Sequence, residues 1–209
     1  MTESNQVENE ISCKVLCLGP EGAGKTTNLL SLKEQISSSD KDLSQEAKSL
    51  SLQETGLAFK FLPLNLDSFP GGIFKLHIFS FDLPLPYPSL RKLLWQGVDA
   101  VMMVFDSQIP RMGENLDFLQ ESRRLFLKEG YNLQSLPQVI QYNKRDCQDK
   151  TDLAIMRRYL NPENFPEHEA IAKEGRGTLE SLSSLTRQLV HLYQQEDSRI
   201  VAQEKKIRK

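Results

Sequence analysis

Residues 19–27 read "GPEGAGKTT", and the stretches on either side decide what kind of chain this is. Before it, "CKVLCL" (13–18) is a short apolar run stopped by glycine, the pattern of a buried strand. After it, "TTNLLSLKEQI" (26–36) places Leu29, Leu30, Leu32 and Ile36 at helical spacing. Strand, glycine-rich turn and helix form the setting of a phosphate-binding loop, and Gly19, Gly24, Lys25 and Thr26 satisfy its pattern G-x-x-x-x-G-K-[ST]. Small residues let backbone N–H groups turn inward around phosphate oxygens, and the helix N-terminus adds partial positive charge. The candidate phosphate-binding residues are Gly19, Glu21, Gly22, Ala23, Gly24, Lys25, Thr26 and Thr27. Lys25 is expected to reach the β- and γ-phosphates as a point charge, and the Thr26 hydroxyl to ligand Mg²⁺.

A phosphate cradle does not select a base, but "NKRD" (143–146) does. It follows "QVIQY" in the expected strand "PQVIQYN" (137–143), where an open α/β sheet presents its ligand loops from the carboxyl edge. The Asp146 carboxylate can accept two hydrogen bonds, from the guanine N1–H and the exocyclic amine. Adenine offers no such pair and would leave the carboxylate unsatisfied. Asn143 is expected to brace the loop, with the stem of Lys144 lying over the base. This pairing, and the lack of a lid or acceptor site in the sequence, argue against an ATP-using kinase.

The remaining patterns fit the same architecture. "LAFKFLPLNL" (57–66) and "IFKLHIF" (73–79) read as strands joined by the turn "DSFPGG" (67–72). "VDAVMMVF" (98–105) is almost wholly apolar, as a parallel strand buried on both faces would be. Helices are expected over 112–129, over 151–160 with Thr151 as N-cap, and through Leu179, Leu182, Leu185, Leu189 and Leu192, with Glu180, Arg187 and Gln188 facing outward. The segment from Ser37 to Thr55, rich in serine and charge, reads as a long loop. Alternating strands and helices predict a single α/β domain, a mostly parallel central sheet with helices on both faces. Its expected bounds are 11–195, between a flexible N-terminus (1–10) and a charged tail (196–209) that either extends the last helix or is disordered.

The 209 residues carry a formal net charge of −2, with 39% hydrophobic and 26% charged side chains. No basic field invites nucleic acid, and no apolar run approaches the ~20 residues of a membrane span. The polar, acidic start "MTESNQVENE" is neither a signal nor a transit peptide, so a cytoplasmic protein is expected. Cys13 and Cys17 share one strand at ~13 Å, too far apart to bridge, and with Cys147 they read as buried reduced thiols.

"GKTTNLL", "FLPLNL", "GVDAVMMVFDSQIPRM", "GYNLQSLPQVIQYNKRD" and "RRYLNPENFPEHEAIAKEGRGTLESL" together resemble the MglA family of bacterial Ras-like small GTPases, over about residues 11–195. The resemblance implies a Ras-like fold and a GTP/GDP switch with Mg²⁺ that serves cell polarity and gliding motility. The implied partners are a roadblock-type (MglB-like) activating protein and polarity effectors that recruit the protein to a cell pole. It also places Ala172 and Lys173 where a backbone amide meets the guanine O6.

Against that family, "SFDLPLPYPS" (80–89) departs in the second switch. Ser80 takes the threonine position and keeps a hydroxyl near the Mg²⁺ shell, and Asp82 stands at a proline. Leu83 replaces the glycine whose N–H senses the γ-phosphate, and Pro84 replaces the glutamine that positions attacking water. Pro84, Pro86 and Pro88 predict a stiff extended segment over 83–88. In the first switch, Thr55 and Gly56 stand where the family carries an Arg-Thr pair, so the internal arginine is absent and Thr55 is the remaining candidate Mg²⁺ ligand. Glu21 occupies a glycine position, where its carboxylate either crowds the γ-phosphate or turns to solvent or a lysine. Two readings follow. One is a small GTPase with weak or partner-dependent hydrolysis. The other is a hydrolysis-deficient scaffold, always nucleotide-bound, with a fixed second switch.

Overall fold

The computed structural model describes residues 9–39, 59–69, 72–81 and 88–207. In chain order its elements are β1 (Asn9–Leu18), α1 (Lys25–Ser39), β2 (Phe59–Phe69), β3 (Gly72–Phe81), α2 (Pro88–Trp95), β4 (Ala100–Asp106), α3 (Met112–Lys128), β5 (Gln138–Asn143), α4 (Leu153–Leu160), β6 (Glu167–Glu169) and α5 (Thr178–Ile207). The strands form one six-stranded sheet in the order β2-β3-β1-β4-β5-β6. β2 runs antiparallel to β3, as the hairpin pattern predicts, and every other neighbour pair is parallel. This is the Ras-like α/β fold. After β3 the chain crosses over to the other side of β1 to form β4, and ligand loops gather at the carboxyl edge of such a switch point.

Alternation along the strands sorts side chains onto two buried faces. Cys13, Val15, Cys17, Leu76, Ile78, Met102 and Val104 meet Leu29 and Leu32 of α1 and Leu182, Leu185 and Leu189 of α5. Leu16, Leu18, Val101, Met103, Phe105 and Tyr142 meet Leu94 and Trp95 of α2, Leu119 and Phe126 of α3, and Met156 and Leu160 of α4. Every residue of β4 and β5 is buried, which explains the near-continuous apolar run of β4; β5 buries Gln138, Gln141 and Asn143 with hydrogen-bond partners instead. Each fully buried leucine or phenylalanine contributes roughly 1.5–3 kcal/mol relative to an exposed one.

Several elements differ from the sequence expectations. The N-cap of α4 is Asp152, whose side chain accepts from the Ala154 N–H at 2.7 Å, not Thr151. Thr151 is buried and committed elsewhere, its N–H donating to the Ser107 carbonyl at 2.7 Å. Gln188 does not face solvent: its Nε2 donates to the Gln138 carbonyl at 2.8 Å at the start of β5. The helix α2 begins at Pro88, the last of the spaced prolines, since proline suits the first helical turn. Trp95 at its end is fully buried and stacks on Phe126 with ring centroids 4.6 Å apart. The strand β6, only three residues long, carries no periodicity that could announce it. At the chain ends, β1 takes in residues 9 and 10, and α5 continues the last helix to Ile207. Thr55 and Gly56, and Asp82, Leu83 and Pro84 with most of the stiff segment, lie outside the described residues.

Candidate functional site

The turn between β1 and α1 is shaped by glycine at two contacts. A Cβ on Gly19 would lie 2.1 Å from the Val104 carbonyl oxygen of β4, so only glycine lets β1 pass into the loop there. Gly24 has φ +99°, and a Cβ on it would meet Asn143 Nδ2 at 2.2 Å. Between them the loop carbonyls are held by defined donors. The Lys25 ammonium donates to the carbonyls of Gly19 (2.8 Å) and Pro20 (2.9 Å). Asn143 Nδ2 donates to the Ala23 carbonyl at 2.8 Å, and the Asn28 N–H donates to the Gly24 carbonyl at 2.9 Å. Lys25 is buried, whereas Glu21 and Gly22 at the tip are exposed. Burial also pushes the Cys17 thiol, just below the loop, up to about 12, which keeps it protonated and inert despite nearby Lys25.

The β5 carboxyl end supplies the second loop. Asn143 closes the strand, and its Oδ1 accepts from the Ala172 N–H at 3.0 Å. One side-chain amide therefore joins "GPEGAGKTT", "NKRD" and "IAKEG". Lys144 adopts the left-handed conformation (φ 62°), and its ammonium lies 2.7 Å from Asp106 Oδ2. Asp146 pairs with Lys173 at 2.5 Å, and that hydrogen bond holds its carboxyl below the usual range. A further anchor is Arg145, which donates to the Thr151 carbonyl (2.8 Å) and to Glu169 of β6 (2.7 Å).

These loops enclose a cavity of about 300 Å³, lined by Gly22, Gly24 and Thr27, by Asn143, Lys144, Asp146 and Cys147, and by Ile171, Ala172 and Lys173. The structure thus brings together candidates that lie more than a hundred residues apart. Ser80 is buried on β3 and pairs in register with Cys17, two residues before Gly19, so it stands beside the cradle. Glu21 faces outward. Cys13 and Cys17 are buried as expected, but Cys147 is only half-buried because it lines the cavity.

The sequence expectations gave no role to Asp106, Gln108, Arg111 or Ile171. Asp106 is buried at the end of β4, where its carboxylate accepts from the Gln108 backbone N–H (3.0 Å) and side-chain amide (3.1 Å) as well as from Lys144. A carboxylate closing a wholly apolar strand on the ligand edge was the legible signal, since a buried charge requires partners.

The pocket fits a nucleotide on the structure's own terms. A Cβ on Gly24 of its lining would collide with Asn143, the glycine-rich loop leads into a helix that begins at Lys25, and the Asp146 carboxylate, paired with Lys173, lines the same cavity. Among the described residues no three His, Cys, Asp or Glu side chains converge as a metal cage. Mg²⁺ at this site would take protein oxygen from Thr26, with phosphates and water completing its shell.

No protein-family model matches the chain. A similar protein is the mutual gliding-motility protein MglA of Myxococcus xanthus (strain DK1622), 37% identical over 188 residues that span 90% of this chain and 95% of the relative. With the sheet order and the joined loops already described, that identity settles the family: the chain belongs to the MglA family of bacterial Ras-like small GTPases.

Proposed function

We propose that the chain binds GTP and GDP with Mg²⁺ and acts by recruiting partners according to the nucleotide held, with weak or partner-dependent hydrolysis. The carrying observation is Asn143, whose one amide ties the phosphate cradle to the base-facing loop and to Ala172. Lys25 would share its ammonium between the loop carbonyls it holds and the phosphate oxygens. Asp146 would exchange the Lys173 ammonium for the two guanine N–H groups, which discriminates against adenine. Thr26 would hold Mg²⁺, which when bound spreads the charge of the terminal phosphates. Gly22, Ala23 and Thr27 would supply backbone amides from the loop and first helical turn, and the Lys144 stem would cover the base. Thr55, Asp82 and Leu83 remain candidates for the switch regions.

Weak hydrolysis is inferred from sequence: Pro84 has no side chain that orients water, and the arginine expected before Gly56 is absent. An arginine finger contributes about 10³–10⁵ in rate in related enzymes. By analogy with the gliding-motility relative, the process served is gliding motility; the MglB-like activator, the polarity effectors and recruitment to a pole through them are what the family resemblance of the sequence implies. Among the described residues no helix is long and apolar enough to cross a membrane. The hydrolysis-deficient scaffold remains the second reading, favoured by Pro84 itself.

The test is the nucleotide released on denaturing freshly purified protein, separated by anion exchange, together with competition of GDP and ADP for the site. Bound guanine nucleotide displaced by GDP and not ADP is expected. A site that is empty and binds neither, or binds both alike, overturns the proposal. Mostly GTP selects the scaffold, and mostly GDP selects the hydrolysing form.

A further inference from the structure

A loop of inward amides requires its carbonyls to be held outward. In this one Gly19 and Pro20 are served by Lys25, Ala23 by Asn143 and Gly24 by α1. The exposed tip is served from outside: the Glu21 carbonyl accepts from Arg111 Nη2. A trans peptide is planar, with its C=O and N–H opposed, so a donor on the Glu21 carbonyl also fixes where the Gly22 N–H points. Gly22 lines the cavity, at φ +75°, and its Cβ position lies 3.7 Å from Arg111 Nη2.

Arg111 is itself firmly placed. It ends the 3₁₀ turn Ile109–Arg111, with its N–H on the Gln108 carbonyl at 3.0 Å. Its Nη1 bonds Glu114 at 2.5 Å, and its buried Nε faces Asp106 Oδ2 at 3.8 Å. That same carboxylate oxygen holds Lys144 of the base-facing loop. One buried acid thus stands between the brace of the phosphate loop and the lysine expected over the base. Two hydrogen bonds and one longer ion-pair contact leave one planar guanidinium in different directions, which a lysine cannot reproduce.

We infer that Arg111 is a positioning residue for the β-phosphate of a bound nucleotide: it pins the Glu21–Gly22 peptide so that the Gly22 N–H faces the phosphates, in register with the base loop through Asp106. This rests on reading the cavity as a guanine-nucleotide site. Arg111 reaches Lys144 only indirectly, through Asp106, which keeps its closer contact with Lys144 when Arg111 is lost, so the loss acts mainly on the phosphate end.

The experiment displaces fluorescent GDP from the full chain with unlabelled GDP and with GMP, in wild type, Arg111→Ala, Arg111→Met and Arg111→Lys, with Asp146→Asn as the base-side contrast. The Met variant keeps most of the stem and its packing, so it serves if the Ala variant does not fold. Expected is about a tenfold loss for GDP, the scale of one charge-assisted hydrogen bond, with little loss for GMP and faster GDP release. Arg111→Lys should show the same GDP-selective loss, and Asp146→Asn should weaken both ligands alike. Equal weakening of GDP and GMP in the Arg111 variants, no change in either, or full rescue by lysine overturns the inference. A wild type that binds no guanine nucleotide sinks the functional proposal instead, before any variant is compared.

Discussion

Asn143 and Ala23 are 120 residues apart in sequence, and the Asn143 side-chain amide donates to the Ala23 carbonyl at 2.8 Å. Its other end accepts from Ala172, and the whole side chain is buried. Through this contact the glycine-rich loop after β1, the loop after β5 and the segment at Ala172 form one unit.

Replacing Asn143 with Ala removes both bonds and leaves a buried carbonyl and a buried N–H without partners. A stability loss of about 2–4 kcal/mol is expected, from about 1–3 kcal/mol for each buried group left unsatisfied. Nucleotide release should accelerate as well, because the two walls part. Chemical denaturation and stopped-flow release of fluorescent GDP read the two effects. A variant with unchanged release would detach Asn143 from binding.

Gly19→Ala and Gly97→Ala separate collision from conformation. At Gly19 the new methyl would meet the Val104 backbone, so β1 and β4 must shift, at a cost of about 1–3 kcal/mol together with weaker nucleotide binding. Gly97 has φ +69° with nothing within 4 Å, so its alanine should cost only about 1–2 kcal/mol of left-handed strain and leave binding alone. Equal effects of the two on GDP affinity would contradict this account.

Asp146 gives a pH dependence whose sign is set by Lys173. Because the folded carboxyl lies below its ordinary value, the stability from this pair is present above that value and is lost as pH falls through the lowered one. On the proposed function base recognition needs the ionised carboxylate, so GDP affinity should hold through the ordinary aspartate range and fall only below it. In Lys173→Met the fall should begin at higher pH. Coincident profiles for wild type and variant would remove Lys173 from this role.

Trp95 is the only tryptophan, fully buried and stacked on Phe126. Its emission should be blue-shifted in the folded protein and move red on unfolding, reporting the α2–α3 side of the core. Trp95→Ala should cost about 3–5 kcal/mol, measured by urea titration followed by circular dichroism. A cost below 1 kcal/mol would mean that this side of the core collapses to fill the space.

What the sequence determined by itself was whatever short-range chemistry writes into neighbouring residues. "GPEGAGKTT" between an apolar strand and a helix, "NKRD" at a strand end, the all-apolar "VDAVMMVF" and the hairpin around "DSFPGG" each carry their reason within a dozen residues. They announce the two loops that line the cavity, the central strand and the antiparallel edge pair. Only the tertiary structure decided the rest. Asn143 reaches Ala23 and Ala172, Arg111 reaches the Glu21 carbonyl, and Asp106 takes Lys144, because the crossover at β1 brings the ends of β1, β4 and β5 to one edge. Asp152 and not Thr151 caps α4 because the tertiary structure starts that helix at Leu153, which sets Asp152 directly before it, and Gln188 turned inward because the start of β5 offered it a partner. Periodicity records which face of an element is apolar, but a hydrogen bond between loops a hundred residues apart depends on where the sheet sets them down.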